Sequence, residues 1–146
     1  MHRERRHVPY PAALMYQVVA EVENYPRFLP WVLGLRVKTR TPRQVIAEML
    51  VGYKGLRERY TSRVTLTPDA YRIDVEQVEG PFHHLVNHWQ FTPQGDGCEV
   101  DFAIDFAFKS RILGAIAGAA FEKALLKMTG AFEAEARRIA ENGGTT

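Results

Sequence analysis

The chain has 146 residues, a net charge of +2, and 46% apolar against 25% charged side chains. One domain is expected at this length, hiding roughly 70% of the surface that its unfolded form exposes. The small charge excludes a strongly basic nucleic-acid binder, so no DNA partner is expected, but it permits a basic patch. The single cysteine, Cys98, excludes an intramolecular disulfide and suits a reducing compartment.

No apolar run reaches the about 20 residues of a membrane span. The start, Met1-His2-Arg3-Glu4-Arg5-Arg6, lacks the apolar core of a signal peptide. A cytoplasmic protein is expected, with room for peripheral contact at the inner membrane.

In chain order, residues 3–9 read as a short polar edge strand. Pro11 suits a first helical turn, where its missing N–H is no loss. Leu14, Val18, Val19 and Val22 recur at helical spacing, so a helix is predicted over 11–22. Pro26 and Pro30 bound a short helical turn around Phe28 and Leu29.

From Trp31 the period becomes two. Leu33, Leu35 and Val37 alternate with Gly34, Arg36 and Lys38, and Ala47, Met49, Val51 and Tyr53 with Glu48, Leu50 and Gly52. The same holds for Tyr60, Ser62, Val64 and Leu66, for Tyr71, Ile73 and Val75, and for Leu85, Asn87, Trp89 and Phe91. The cleanest run is Cys98, Val100, Phe102, Ile104, Phe106 and Phe108. Such alternation fits a sheet with one wet and one covered face. Turns at Lys54-Gly55, Pro68-Asp69 and Pro93–Gly97 imply an antiparallel meander.

After Ser110, a candidate N-cap, the helical period returns through Leu113, Ile116, Ala117, Ala120, Ala124, Met128, Ala131, Phe132 and Ile139. Some thirty helical residues span about 45 Å, enough to cross the whole sheet. The expected fold is α+β, of the helix-grip kind. A curved antiparallel sheet of about seven strands holds a long C-terminal helix, with two short helices after the first strand. One domain over 1–141 and a disordered tail over 142–146 complete the expectation.

Four stretches carry a family resemblance. Val22-Glu23-Asn24-Tyr25-Pro26-Arg27-Phe28-Leu29-Pro30-Trp31 resembles the V-x-x-Y-P-x-F-L-P-W signature of the coenzyme Q-binding proteins. These belong to the START-like polyketide cyclase/dehydrase and lipid transport superfamily. Tyr60–Val64, Gly80-Pro81-Phe82 with Leu85, Trp89 and Phe91, and Val100–Ser110 are similar to the same family. Closely similar bacterial ribosome-association toxins share most of these motifs. The resemblance implies a START-like fold, a hydrophobic tunnel, and ubiquinone or a similar lipid as the bound ligand, with no cofactor.

The expected ligand-binding residues are Leu33, Val51, Tyr53, Tyr60, Ser62, Asn87, Trp89, Phe102, Ile104 and Phe106 from the sheet, and Leu113 and Ile116 from the helix. Core packing accounts for any one of these aromatics; as a set, under a long helix, they line a tunnel. Asn87, Ser62 and the Trp89 indole can donate hydrogen bonds to a quinone head, whereas ionised Glu58 cannot. Glu58 is expected at a strand end reaching water, and Gln77 is the remaining polar member of the inward faces.

His83 and His84 are expected on opposite strand faces. His84 and His88 would stand about 13 Å apart, too far for two ligands of one zinc ion. No metal site is expected. Nor is catalysis: no nucleophile elbow, phosphate loop or zinc motif is present, and Cys98 has no base nearby in sequence.

Two surfaces stand out. Arg36, Lys38, Arg40, Arg43, Lys54, Arg57, Arg59 and Arg63 crowd three successive strands. They suit either a solvated, edge-protecting face or an anionic partner, lipid headgroups or ribosomal RNA. Residues 112–121 are apolar on every side of the helix, which fits either burial or membrane contact.

Three functions follow in order: non-enzymatic sequestration of ubiquinone or a related isoprenoid in support of respiration or quinone synthesis; a ribosome-binding regulator; and a small-molecule cyclase or dehydrase.

Overall fold

The computed structural model describes residues 1–53 and 56–143, without the side chains of Tyr53 and Leu56. The elements are β1 (His2–Val8), α1 (Ala12–Ala20), α2 (Tyr25–Phe28), β2 (Val32–Thr41), β3 (Gln44–Tyr53), β4 (Leu56–Thr67), β5 (Arg72–Glu79), β6 (Phe82–Gln94), β7 (Gly97–Phe108) and α3 (Arg111–Gly143). Single 3-10 turns occupy Val22–Asn24 and Pro68–Ala70.

The strands form one antiparallel sheet in the order β1-β7-β6-β5-β4-β3-β2. This is the expected helix-grip arrangement. Sequential strands are hydrogen-bonded neighbours throughout β2 to β7, as short turns require. Only β1 crosses over, to cover the outer side of β7.

Pro11 caps α1 with its carbonyl, which accepts the amides of Leu14 and Met15. Its φ of −59° already suits a helix start. The buried face of α1 is Ala12, Met15, Val18 and Val19, so Met15 rather than Leu14 leads the stripe. Tight turns fall where the chain tolerates them. Gly95 takes φ +60° in the β6–β7 hairpin. At Gly97 a side chain is excluded, because a Cβ would lie 2.3 Å from the Val8 carbonyl oxygen.

The covered face of the sheet carries Val45 and Ala47 of β3, Tyr60, Ser62 and Val64 of β4, Ile73 of β5, Trp89 and Phe91 of β6, and Val100, Phe102 and Ile104 of β7, all buried. Ser110 caps α3 as expected: its Oγ accepts the Leu113 amide at 3.1 Å.

The far half of α3 is tied down. Leu125, Phe132 and Ala136 enter the core. The Thr129 hydroxyl donates to Glu4, Arg6 pairs with Glu133 at 3.0 Å and Arg27 with Glu135 at 3.2 Å.

One boundary differs from expectation. Asn142 and Gly143 continue α3 rather than starting a tail, since no breaker precedes them. Residues 144–146 lie outside the described residues, as do Lys54 and Gly55, where a turn was expected.

Candidate functional site

A cavity of about 400 Å³ lies between the sheet and the first half of α3. That size is within the range of small-molecule sites. Its floor is the inner face of β4, where Glu58, Tyr60, Ser62 and Val64 follow one another at period two. Its roof is the helical stripe Leu113, Ala117, Ala120, Ala124 and Met128, spaced by three or four residues.

Trp89 and Phe132 close the inner end, their ring centroids 5.2 Å apart. Pro30, Trp31, Val51, Gly52 and Pro81 line the end where β2 begins, β3 finishes and β6 begins. Lys123 and Lys127 stand along one edge of the roof.

Among the sheet residues expected to meet a ligand, Val51, Tyr60 and Ser62 line this cavity, as do Asn87, Trp89 and Ile104. From the helix, Leu113 lines it. Four expectations are corrected.

Leu33 is 47% exposed. It occupies the bulge between Val32 and Gly34, and an extra residue there turns the alternation over. Ile116 is 59% exposed, because it sits on the flank of the stripe rather than on it. Phe102 and Phe106 stand behind the wall. Phe102 packs on Trp89 at 4.6 Å and Phe106 on Phe121 at 4.5 Å. The Tyr53 side chain lies outside the described residues.

The polar groups also differ from expectation. The Trp89 indole N–H donates to Asn87 Oδ1 at 2.9 Å, and Asn87 Nδ2 donates to the Ala103 carbonyl at 2.9 Å. The indole donor is therefore consumed internally, and Asn87 keeps one N–H. Gln77 clasps the backbone of Phe82 through both amide atoms, at 2.7 and 3.0 Å, and closes the β5–β6 turn instead of facing the cavity.

Glu58 lines the cavity as well as reaching toward water. The Tyr60 and Ser62 hydroxyls have no hydrogen-bond partner among the described residues. Burial pushes the Tyr60 phenol well above its usual value, so it remains a proton donor.

His83 and His84 are both exposed, with rings 6.0 Å apart. A register shift between Phe82 and His84 removes the strict alternation that would have parted them. His84 faces Asp105 and His88 faces Asp74 on the outer surface. Among the described residues no three His, Cys, Asp or Glu side chains converge as metal ligands. Cys98 is buried, and desolvation lifts its thiol to about 11, far from a reactive thiolate.

Four of the eight basic residues on these strands are ion-paired among the described residues. Arg36 and Lys38 face Glu48, Arg40 pairs with Glu23 and Arg63 with Glu76. Arg43, Arg57 and Arg59 form no ion pair among the described residues, and Lys54 lies outside them.

Exposed apolar side chains occur at the end of the sheet where the cavity opens. Leu33, Val78, Ile112 and Ile116 are exposed, near the start of β2, the end of β5 and the start of α3, which meet at one end of the sheet; Val78 is on the outward set of β5. Lys109 and Arg111 adjoin Ile112, while Lys123 and Lys127 lie about two to four turns further along α3; none has an ion-pair partner among the described residues. Residues 112–121 are therefore not a buried segment. No helix of the described residues is long and apolar enough to cross a membrane.

Sequence reasoning missed Lys123 and Lys127, although their spacing of four beside the apolar stripe marks them as an edge. It also missed Val22, Tyr25 and Leu29 as wall residues, which the V-x-x-Y-P-x-F-L-P-W stretch contained.

The profile of the family described as polyketide cyclase / dehydrase and lipid transport matches residues 8–133. The ribosome association toxin RatA of Rickettsia prowazekii is 38% identical over 90% of this chain and 92% of its own length. The mitochondrial coenzyme Q-binding protein COQ10 of Drosophila melanogaster is 36% identical over 90% of this chain, which spans 56% of that longer protein. The solution structure of an 18 kDa protein from Caulobacter crescentus superposes with a TM-score of 0.74, at 39% identity, covering 97% of this chain and 99% of its own.

Proposed function

Because the chain belongs to the polyketide cyclase/dehydrase and lipid transport family, we propose that it binds ubiquinone or a related isoprenoid lipid without chemical turnover and presents it to membrane enzymes of respiration or quinone synthesis. The observation that carries this reading is the apolar cavity of about 400 Å³ under a roof of alanines, glycine-flanked and loosely packed. Transfer of apolar ligand surface from water supplies the driving force, at roughly 25 cal/mol per Å².

The relatives named as coenzyme Q-binding proteins support the ligand class. The absence of catalysis is part of the proposal. Among the described cavity-lining residues there is no histidine, cysteine or aspartate, and Glu58 is the one carboxylate.

The exposed Ile112 and Ile116, beside Lys109 and Arg111, which have no ion-pair partner among the described residues, support delivery at an anionic bilayer, at the cytoplasmic face of the inner membrane. Basic residues near such a surface each contribute about 1 kcal/mol. Mass spectrometry of the protein purified under native conditions tests the ligand reading: a co-purified prenylated quinone or similar lipid is expected. Protein that carries no lipid and takes up none from quinone-loaded vesicles would defeat it.

A second reading, ribosome binding, is favoured by the relatives named as ribosome association toxins. It would use Arg43, Arg57 and Arg59, the cations that β3 and β4 leave unpaired. Tight ribosome co-sedimentation that falls with added salt and is lost when Arg57 and Arg59 are reversed to Glu would establish it. With a net charge of +2, no co-sedimentation is expected near physiological salt.

A further inference from the structure

Tyr60 and Ser62 are two inward positions of the same strand, β4, and both line the cavity. Tyr60 is 8% and Ser62 1% exposed. Neither hydroxyl has a partner among the described residues. Among the described residues the fully enclosed polar atoms without a partner are His2 Nε2 and Tyr16 Oη; the Tyr60 and Ser62 hydroxyls are instead open to the cavity, opposite the apolar roof of Ala117, Ala120 and Ala124. Of the other buried polar groups of the cavity, the Trp89 indole is committed to Asn87, and Asn87 to the Ala103 carbonyl with one N–H left over.

Two positions along a strand are separated by about 6.6 Å. This is the scale of one six-membered ring with oxygens at opposite ends.

We propose that the Tyr60 and Ser62 hydroxyls are the head-group donors of the cavity, selecting an uncharged ring that bears acceptor oxygens at opposite ends, while the apolar tail of the same molecule runs under Leu113, Ala117 and Ala120. This deepens the lipid-binding reading and rests on it. An anionic head is disfavoured at this depth, because Lys123 and Lys127 stand at the roof edge and Arg57 and Arg59 point to solvent; a buried charge without a partner is costly. Glu58, at the outer end of the same stripe, repels anions further.

The test compares two probes that share a ten-carbon tail: decyl-ubiquinone, with ring oxygens, and decylbenzene, without them. Binding is read by quenching of Trp89 in a Trp31→Phe background, since Trp31 also lines the cavity. The wild-type cavity is expected to prefer the quinone. Tyr60→Phe and Ser62→Ala should each weaken quinone binding about three- to tenfold and leave decylbenzene unchanged; the double variant should lose the preference. Because each substitution removes an unpaired group, the ligand-free melting temperature should hold or rise.

Unchanged preference in folded variants would overturn the head-group assignment and leave the lipid reading standing. A melting temperature lowered by either variant would show that its hydroxyl already has a partner, and would overturn its role as a donor held for the ligand. Failure of both probes to bind would defeat both readings.

Discussion

Between Arg111 and Ala124, α3 has no fully buried side chain, whereas from Leu125 to Ala136 it buries Leu125, Thr129, Phe132, Glu135 and Ala136. The two stretches belong to one unbroken helix on one sheet. They differ in side-chain volume and in anchoring.

The first stretch offers Gly114, Ala117, Gly118, Ala120 and Ala124 toward or beside the sheet, and small residues leave space above β4. The second drives Phe132 between Tyr25, Phe28 and Trp89, at centroid distances of 5.2, 5.5 and 5.2 Å. It also holds polar clamps to β1 and α2. A helix that grips with one half can afford to span empty volume with the other. Glycine at helical positions costs about 1 kcal/mol relative to alanine, so that span is maintained by the grip and not by its own propensity.

Breaking the grip should have the largest effect. Phe132→Ala is expected to cost about 3–5 kcal/mol, read from denaturant unfolding, because three aromatic neighbours lose their common partner. Leu113→Ala in the other half should cost clearly less. Equal losses would erase the distinction.

Filling the span comes next. Ala120→Phe places a ring in the cavity, and should abolish ligand uptake while leaving stability unchanged or raised by about 0.5–2 kcal/mol. Strong destabilisation by this variant would mean that the roof is already packed.

Smaller still is the effect of a clamp. Hydrogen bonds from Arg138, at 2.9 Å each, hold the Glu135 carboxyl below its usual value against partial desolvation, with the charges of Arg138 and Arg27 adding to them. A depressed folded value stabilises above the unfolded glutamate pKa of about 4.3, and that contribution disappears as pH falls through the folded value. Glu135→Gln should therefore cost about 1 kcal/mol near neutral pH, since its arginine partners are half exposed. The gap to wild type should close in acid. Parallel unfolding curves across that range would remove the clamp from the account.

The smallest stability effect is expected at the rim. Ile116→Glu should shift stability by no more than about 0.5 kcal/mol yet reduce flotation with anionic vesicles. Unfolding would place Ile116 in a buried environment instead.

How far the sequence carried this picture follows from which signals are local. Period-two alternation named the inner faces of β3 to β7, and the stripe from Leu113 to Phe132 named the roof, because both depend only on residue spacing. Leu33 and His83 were misplaced because a bulge adds one residue to a strand without altering its composition. Trp89 seemed a donor for a ligand until its neighbour two positions away was seen to accept from it. That Arg36, Arg40 and Arg63 are neutralised depends on strand register and on packing across Glu23, Glu48 and Glu76, which no local pattern encodes. The cavity itself is a property of what α3 does not touch, and such absences are legible only once both surfaces are placed.

Amide hydrogen exchange, measured with and without decyl-ubiquinone, tests most directly whether the loosely held half of α3 roofs a ligand cavity. In the free protein the amides of 125–139 should exchange only by global unfolding, and those of 113–124 by easier local opening. Ligand at a hundred times its dissociation constant should slow the second group by up to about a hundredfold, the limit set by mass action for opening that releases the ligand. Equal protection of both halves without ligand, or no slowing of 113–124 when the quinone is present, would contradict the account.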